Sequence, residues 1–153
     1  MPAIAKIRPL SDARRLADFI GLDRAGSIDD LGLVDRVAKG FPVRTVSNVV
    51  KKIDPEGRFM RETDIIPKST LHRRERDRKP LSKDESERIL ALSKVFAETL
   101  RLYHDDSAKA AQYLRTPHPM LGGKTPMDLA VPSIAGAELV LKLLAQADAG
   151  VAA

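Results

Sequence analysis

SKDESERILALSKVFAETLRLYH (82–104) is the stretch on which the fold turns. Ser82 and Glu85 form the S-x-x-E capping box, in which each side chain satisfies an orphan backbone N–H of the other. Ile89, Leu92, Phe96, Leu100 and Tyr103 then recur at intervals of three and four. That spacing lines one face of an α-helix, while Lys94, Glu98 and Arg101 fall elsewhere on the wheel. Such a helix predicts a spine joining the chain before it to the chain after it. Its Leu, Phe and Tyr stripe is also the candidate interface of a homodimer.

Helix signals recur on both sides of the spine and strand signals do not, so the class is all-α. Residues 1–10 (MPAIAKIRPL) read as irregular, and Ser11 as the cap of a short helix through Phe19 that ends at Gly21. Asp29 or Asp30 starts a helix that stops at Gly40. Pro42 then suits a first helical position, with Val43, Val46, Val49, Val50 and Ile53 at helical spacing up to Asp54-Pro55. Phe59–Ile65 reads as a short helix. Pro67 opens a second, KSTLHRRERDRK, which ends before Pro80. Two short helices across a brief turn, the second basic, make a helix-turn-helix pattern. Beyond the spine, Asp106 or Ser107 caps SAKAAQYLR. Thr125 caps a helix with Pro126 first and Asp128 third. Ser133 begins the last helix, with Ile134, Ala137, Val140, Leu141 and Leu144 inward. The expected division is an N-terminal segment (1–28, partly flexible), a helix-turn-helix part (29–81) and a helical C-terminal domain (82–153).

Composition excludes several functions. There is no cysteine among the 153 residues, which rules out disulfides and thiolate metal sites. His72, His104 and His118 lie far apart with no H-x-x-x-H spacing, so no metal is expected. No apolar run approaches the roughly 20 residues that span a bilayer, and no secretory leader is visible; a cytoplasmic protein is the expectation. Glu85 and Glu87 sit at a solvated helix end and no nucleophile motif appears. The chain does not read as an enzyme, and no cofactor is expected.

The net charge of +5 is unevenly spread. Residues 67–88 carry eight Lys and Arg against five acids, whereas residues 117–153 carry two against three. This suggests two working surfaces. On the basic helix, Lys68, Ser69, Thr70 and His72 stand early, where a recognition helix meets base edges. Arg73, Arg74 and Arg76 follow where phosphates are held. Helix-turn-helix proteins usually pair on two half-sites, so a homodimer on operator DNA is expected.

The other surface contains PHPMLGGKTPMDLA (117–130), which borrows the Gly-Lys-Thr ending of a nucleotide P-loop. The P-loop needs a glycine five residues before Gly123, where this chain has His118 between two prolines, and it follows a strand rather than a helix. Prolines also remove N–H groups from any phosphate nest. The residues instead predict a tight Gly122-Gly123 turn feeding a helix capped by Thr125.

Taken together, two segments resemble a known family. IPKSTLHRRERDRKPLSKDESERI (66–89) is similar to the I-x-x-R-T-L-x-R-R … L-S-x-x-E-S-x-R-I segment of Xre/MbcA/ParS-type antitoxins, with Lys68-Ser69-Thr70-Leu71 where that family often has Arg-Thr-Leu. YLRTPHPMLGGKTPMDLAVPSIAGAELVLKLLAQADAG (113–150) resembles the same family's toxin-binding domain. It shares Tyr113-Leu114, Leu121-Gly122-Gly123, Thr125-Pro126, Leu129 and Gly136-Ala137, with His118 in place of the usual Asn. The resemblance implies an Xre-like DNA-binding part followed by a small helical domain that holds the toxin. Its implied partner is a RES-domain toxin, which consumes NAD and whose NAD cleft the antitoxin blocks. It further implies that Leu121, Gly122, Gly123, Lys124 and Thr125, with Met127 and Asp128, form or support the toxin-facing surface. A different class of function, a stand-alone transcriptional regulator with a partner- or ligand-sensing C-terminal domain, fits the basic helix equally well.

Overall fold

The computed structural model describes residues 12–152, and the side chains of 12–150. Nine α-helices follow one another among the described residues: α1 (Asp12–Ile20), α2 (Asp30–Lys39), α3 (Arg44–Ile53), α4 (Glu62–Ile65), α5 (Lys68–Arg76), α6 (Lys83–Leu102), α7 (Ser107–Leu114), α8 (Pro126–Ala130) and α9 (Ile134–Ala152). No strand occurs among them, so the all-α expectation holds. The expected irregular start and the Ser11 cap lie outside the described residues.

Local chemistry accounts for several helix starts. The Asp29 carboxylate accepts the Gly32 N–H at 2.7 Å to cap α2. The capping box of α6 is present, with Ser82 N–H donating to Glu85 Oε1 and Glu85 N–H to Ser82 Oγ. Asp106 caps α7. Thr125 and Asp128 form a second complete capping box on α8, with Pro126 at its first position.

Several boundaries differ from the sequence expectation. Helix α3 begins at Arg44 rather than Pro42, whose carbonyl accepts the Thr45 N–H and hydroxyl in a preceding turn. The helix expected over 59–65 shrinks to Glu62–Ile65, because the buried Asp54 carboxylate captures the N–H groups of Arg58, Phe59 and Met60. With those amides turned onto Asp54, the helix starts only beyond them, at Glu62. The basic helix stops at Arg76, and Arg78 takes a left-handed φ of 52° that ends any continuation.

Helix α6 is the spine. It packs against α1, α2, α3, α7, α8 and α9, and one apolar cluster runs from Ala13 through Phe41, Val46, Ile89 and Phe96 to Val140 and Leu144. Burial of this continuous core supplies the main folding force. The inward residues of α6 are Ser86, Ile89, Leu92, Ser93, Val95, Phe96 and Thr99, whereas Leu100 and Tyr103 are only half-buried. The stripe is therefore spent on the chain's own core, which removes α6 as the expected dimer interface. Ser93 and Thr99 are tolerated inside because each hydroxyl donates to the carbonyl four residues earlier. On α9, Ala137, Val140 and Leu144 are buried as expected, joined by Leu143, while Ile134 and Leu141 are half-buried.

A basic helix and a glycine turn on one core

Helix α5 is anchored by a single fully buried side chain, Leu71, and by the half-buried Thr70 and Arg74. At 100° per residue these three fix the inward face, and Lys68, Ser69, His72, Arg73 and Arg76 share the opposite arc. All five are exposed. The expected reading set is thus brought together on one surface, with two exceptions. Thr70 lies half-buried on the inward side. Arg74 turns inward, where its Nη2 and Nε lie 2.8 Å and 3.0 Å from Glu85 Oε1. Its side chain is 21% exposed and that of Glu85 17%, so the pair is structural rather than free for phosphate.

Glu85 is therefore not on a solvated helix end, as the sequence suggested. Burial would raise its pKa, but hydrogen bonding from Ser82 and the adjacent Arg74 guanidinium outweigh this and hold it below its usual value. Its neighbours in the E-S-x-R-I segment are equally committed. Ser86 Oγ accepts the buried Phe41 N–H and donates to Ser82 C=O. Arg88 Nη2 donates to the Val131 carbonyl at 3.0 Å. Ile89 is in the core.

The second surface begins where α7 ends. His118 closes the loop, its C=O accepting from Leu121 and Gly123 and its N–H donating to Lys124 C=O. Its ring Nδ1 accepts the Met120 N–H at 3.2 Å, and a one-turn 3-10 helix spans Pro119–Leu121. Gly122 and Gly123 follow with φ of 65° and 80°, so both need the left-handed region. A Cβ on either would meet nothing within 4 Å; conformation, not space, demands glycine. Gly122, Gly123, Lys124 and Asp128 are exposed, and Thr125 and Met127 half-buried. Leu121 is buried and anchors the turn instead of facing out. The exposed apolar side chain at this turn is its neighbour Met120, 66% exposed, which the sequence reading passed over. Alternation within a 3-10 turn is too short to be read from periodicity.

The turn is fastened to the core through α8 and α9. An ideal Cβ on Gly136 would lie 1.8 Å from the Leu129 carbonyl oxygen, so glycine lets the first turn of α9 lie directly against α8. The charges agree with a static role: the Thr125 N–H and hydroxyl hold the Asp128 carboxylate below its usual pKa. Nothing in the loop forms a phosphate nest around Lys124, whose side chain is exposed. No group of three or more His, Asp or Glu able to hold a metal occurs among the described residues, and no described helix is long and apolar enough to cross a membrane. A groove of about 1060 Å³ between α1, α6 and α9 is lined by charges of both signs such as Lys94, Arg101, Asp12 and Asp18. It contains none of the residues of either surface.

Comparison with known proteins bears on both surfaces. Residues 32–94 match the antitoxin Xre-like helix-turn-helix domain, and residues 99–150 match the antitoxin Xre/MbcA/ParS C-terminal toxin-binding domain. The chain is similar to Antitoxin Xre of Yersinia enterocolitica, with 30% identity over 145 residues that cover 94% of each chain. It is also similar to the Prs ADP-ribosylating antitoxin of a Sphingobium species, 25% identical over 140 residues and 86% of each chain. A helix-turn-helix half and a toxin-binding half, joined by α6 in the order the family requires, place this chain in the Xre/MbcA/ParS antitoxin family.

Proposed function

We propose that the chain neutralises a RES-domain toxin by covering its NAD-binding cleft, and that it represses its own operon as a homodimer. The observation that carries the first half is that the segment matched to the toxin-binding domain presents a fixed, solvent-facing turn, Met120–Lys124, on the helix pair α8–α9. A rigid, pre-formed surface loses little entropy on binding. The Sphingobium relative is named a Prs ADP-ribosylating antitoxin; ADP-ribosylation consumes NAD, which agrees with an NAD-consuming partner. The DNA half rests on the exposed arc Lys68, Ser69, His72, Arg73 and Arg76. The second copy needed to read two half-sites cannot use the buried stripe of α6. Leu31 and Val34 on α2, 77% and 65% exposed, are the large apolar side chains left open in this half.

Co-expression tests the reading. Cells expressing the product of the adjacent reading frame should lose NAD and stop growing, and co-expression of this chain should restore both. A chain that binds its promoter yet fails to restore growth or NAD would instead be a stand-alone regulator.

A further inference from the structure

We infer that Arg88, which lies in the segment matched to the helix-turn-helix domain, is a positioning residue for the toxin-facing surface. The inference rests on the toxin reading above for its purpose, but its geometry stands by itself. Helix α8 has five residues, too few to be stable alone, so its direction is set by what fastens it. At its start it has the Thr125–Asp128 capping box. Along its side the Leu129 carbonyl lies against Gly136. At its end the Val131 carbonyl accepts from the Arg88 guanidinium, 43 residues away on α6.

That third fastening is the one that ties the corner between α8 and α9 to the spine. Val131 closes α8, and its carbonyl is among those that a helix end leaves without an internal partner. Arg88 is half-buried, and no ion pair competes for it among the described residues, so its guanidinium is directed to this carbonyl. One helical turn earlier on α6, Glu85 pins Arg74 of the basic helix. A single turn of the spine thus holds both surfaces, Glu85 the basic one and Arg88 the other. The chain's functional halves meet at 85–88, inside the DNA-binding segment, and not at its boundary.

The test uses the full chain with Arg88→Met, which keeps the aliphatic stem and removes the donors, and Arg88→Lys, which restores one. A hydrogen bond from a charged donor is worth about tenfold or more in an equilibrium constant. Arg88→Met should weaken RES-toxin binding about tenfold and speed amide exchange at Val131 and Ala137. Operator affinity and exchange across 68–76 should stay as in the wild type, and Arg88→Lys should recover part of the loss. Unchanged exchange at Val131 and Ala137 would overturn the inference. So would an equal acceleration in both halves with operator affinity lost in proportion, since that is general destabilisation. If the wild-type chain binds no RES-domain toxin, the toxin reading falls, and the exchange pattern alone then decides whether Arg88 sets the corner.

Discussion

The basic arc and the glycine turn achieve a fixed surface by opposite means. On α5 the working residues ride on a regular helix, and a few inward side chains, Leu71 and the Arg74–Glu85 pair, set which way it faces. In the turn there is almost no regular structure to ride on, so caps, two left-handed glycines and close backbone approach do the same task. The first design tolerates changes among its exposed residues because the helix survives them. The second has its conformation written into the same residues that face the solvent, so fold and surface cannot be altered separately there.

The largest expected effect tests that contrast at Gly136. Gly136→Val puts a branched side chain where even a Cβ would lie 1.8 Å from the Leu129 carbonyl oxygen. It should cost about 3 kcal/mol or more, as severe overpacking does, and abolish toxin rescue. Thermal unfolding with growth rescue reads both, and wild-type behaviour would show that α8 yields easily.

Next is Asp54, which holds the loop between α3 and α4. Burial pushes its pKa up, yet three backbone N–H groups and the Arg115 charge prevail and depress it below the ordinary 3.8. A depressed carboxylate contributes its stabilisation above its unfolded-state pKa and loses it as pH falls through the folded value. Stability should therefore be level with respect to this group at neutral pH and decline below about pH 4. Asp54→Ala should lower it by about 2 kcal/mol at pH 7 by orphaning buried N–H groups, and flatten that acid decline in urea titrations. A decline of the same steepness in the variant would assign it to other acids.

A smaller effect on stability, but a large one on DNA, is expected from Lys68, Arg73 and Arg76. Replacing all three with Ala should reduce the salt slope of operator binding by about three, near one per phosphate contact, and leave rescue and melting temperature nearly unchanged. Adding Arg74→Ala should lower the melting temperature without a further full unit of slope, because Arg74 is paired with Glu85. A wild-type chain with no salt-sensitive operator binding would remove the arc's proposed role.

The smallest effects separate two neighbours. Gly123→Val meets no steric neighbour, so only its φ of 80° is penalised, by about 1–2 kcal/mol, with weaker toxin binding. Lys124→Ala should fold as the wild type does, and neither variant nor the wild type should bind ATP in calorimetry. Micromolar ATP binding lost with Lys124→Ala would restore the phosphate-loop reading.

What could be read from the sequence follows the range of the interaction. The caps at Asp29, Ser82, Asp106 and Thr125 each involve partners within about three residues, and each was legible, Asp29 and Asp106 as one of two neighbouring candidates. So was the basic character of α5, though the expected set also took in Thr70 and Arg74, which lie on its inward side. Asp54 was not, because Asp-Pro reads as an ordinary helix stop, and nothing local announces a carboxylate that will take three amides downstream. Arg74 looked like its neighbours in a basic run until Glu85, on a different helix, claimed it. Arg88 and Gly136 act across 43 and seven residues, on backbone carbonyls that every residue carries, so no side-chain pattern could have named their partners.

The position of α6 in the chain also bears on how the protein is made. Helices α2 and α3, and the buried Phe41 between them, are finished by contacts with a helix that is synthesised after them. At about 5–20 residues per second, the ribosome leaves their inward side chains uncovered for seconds before residues 83–102 emerge to close over them. During that interval the nascent chain offers apolar sequence to chaperones and proteases. The abundance of this protein in the cell should therefore depend on translation speed across its middle, and a pause before residue 83 should lower the yield without changing a single native contact.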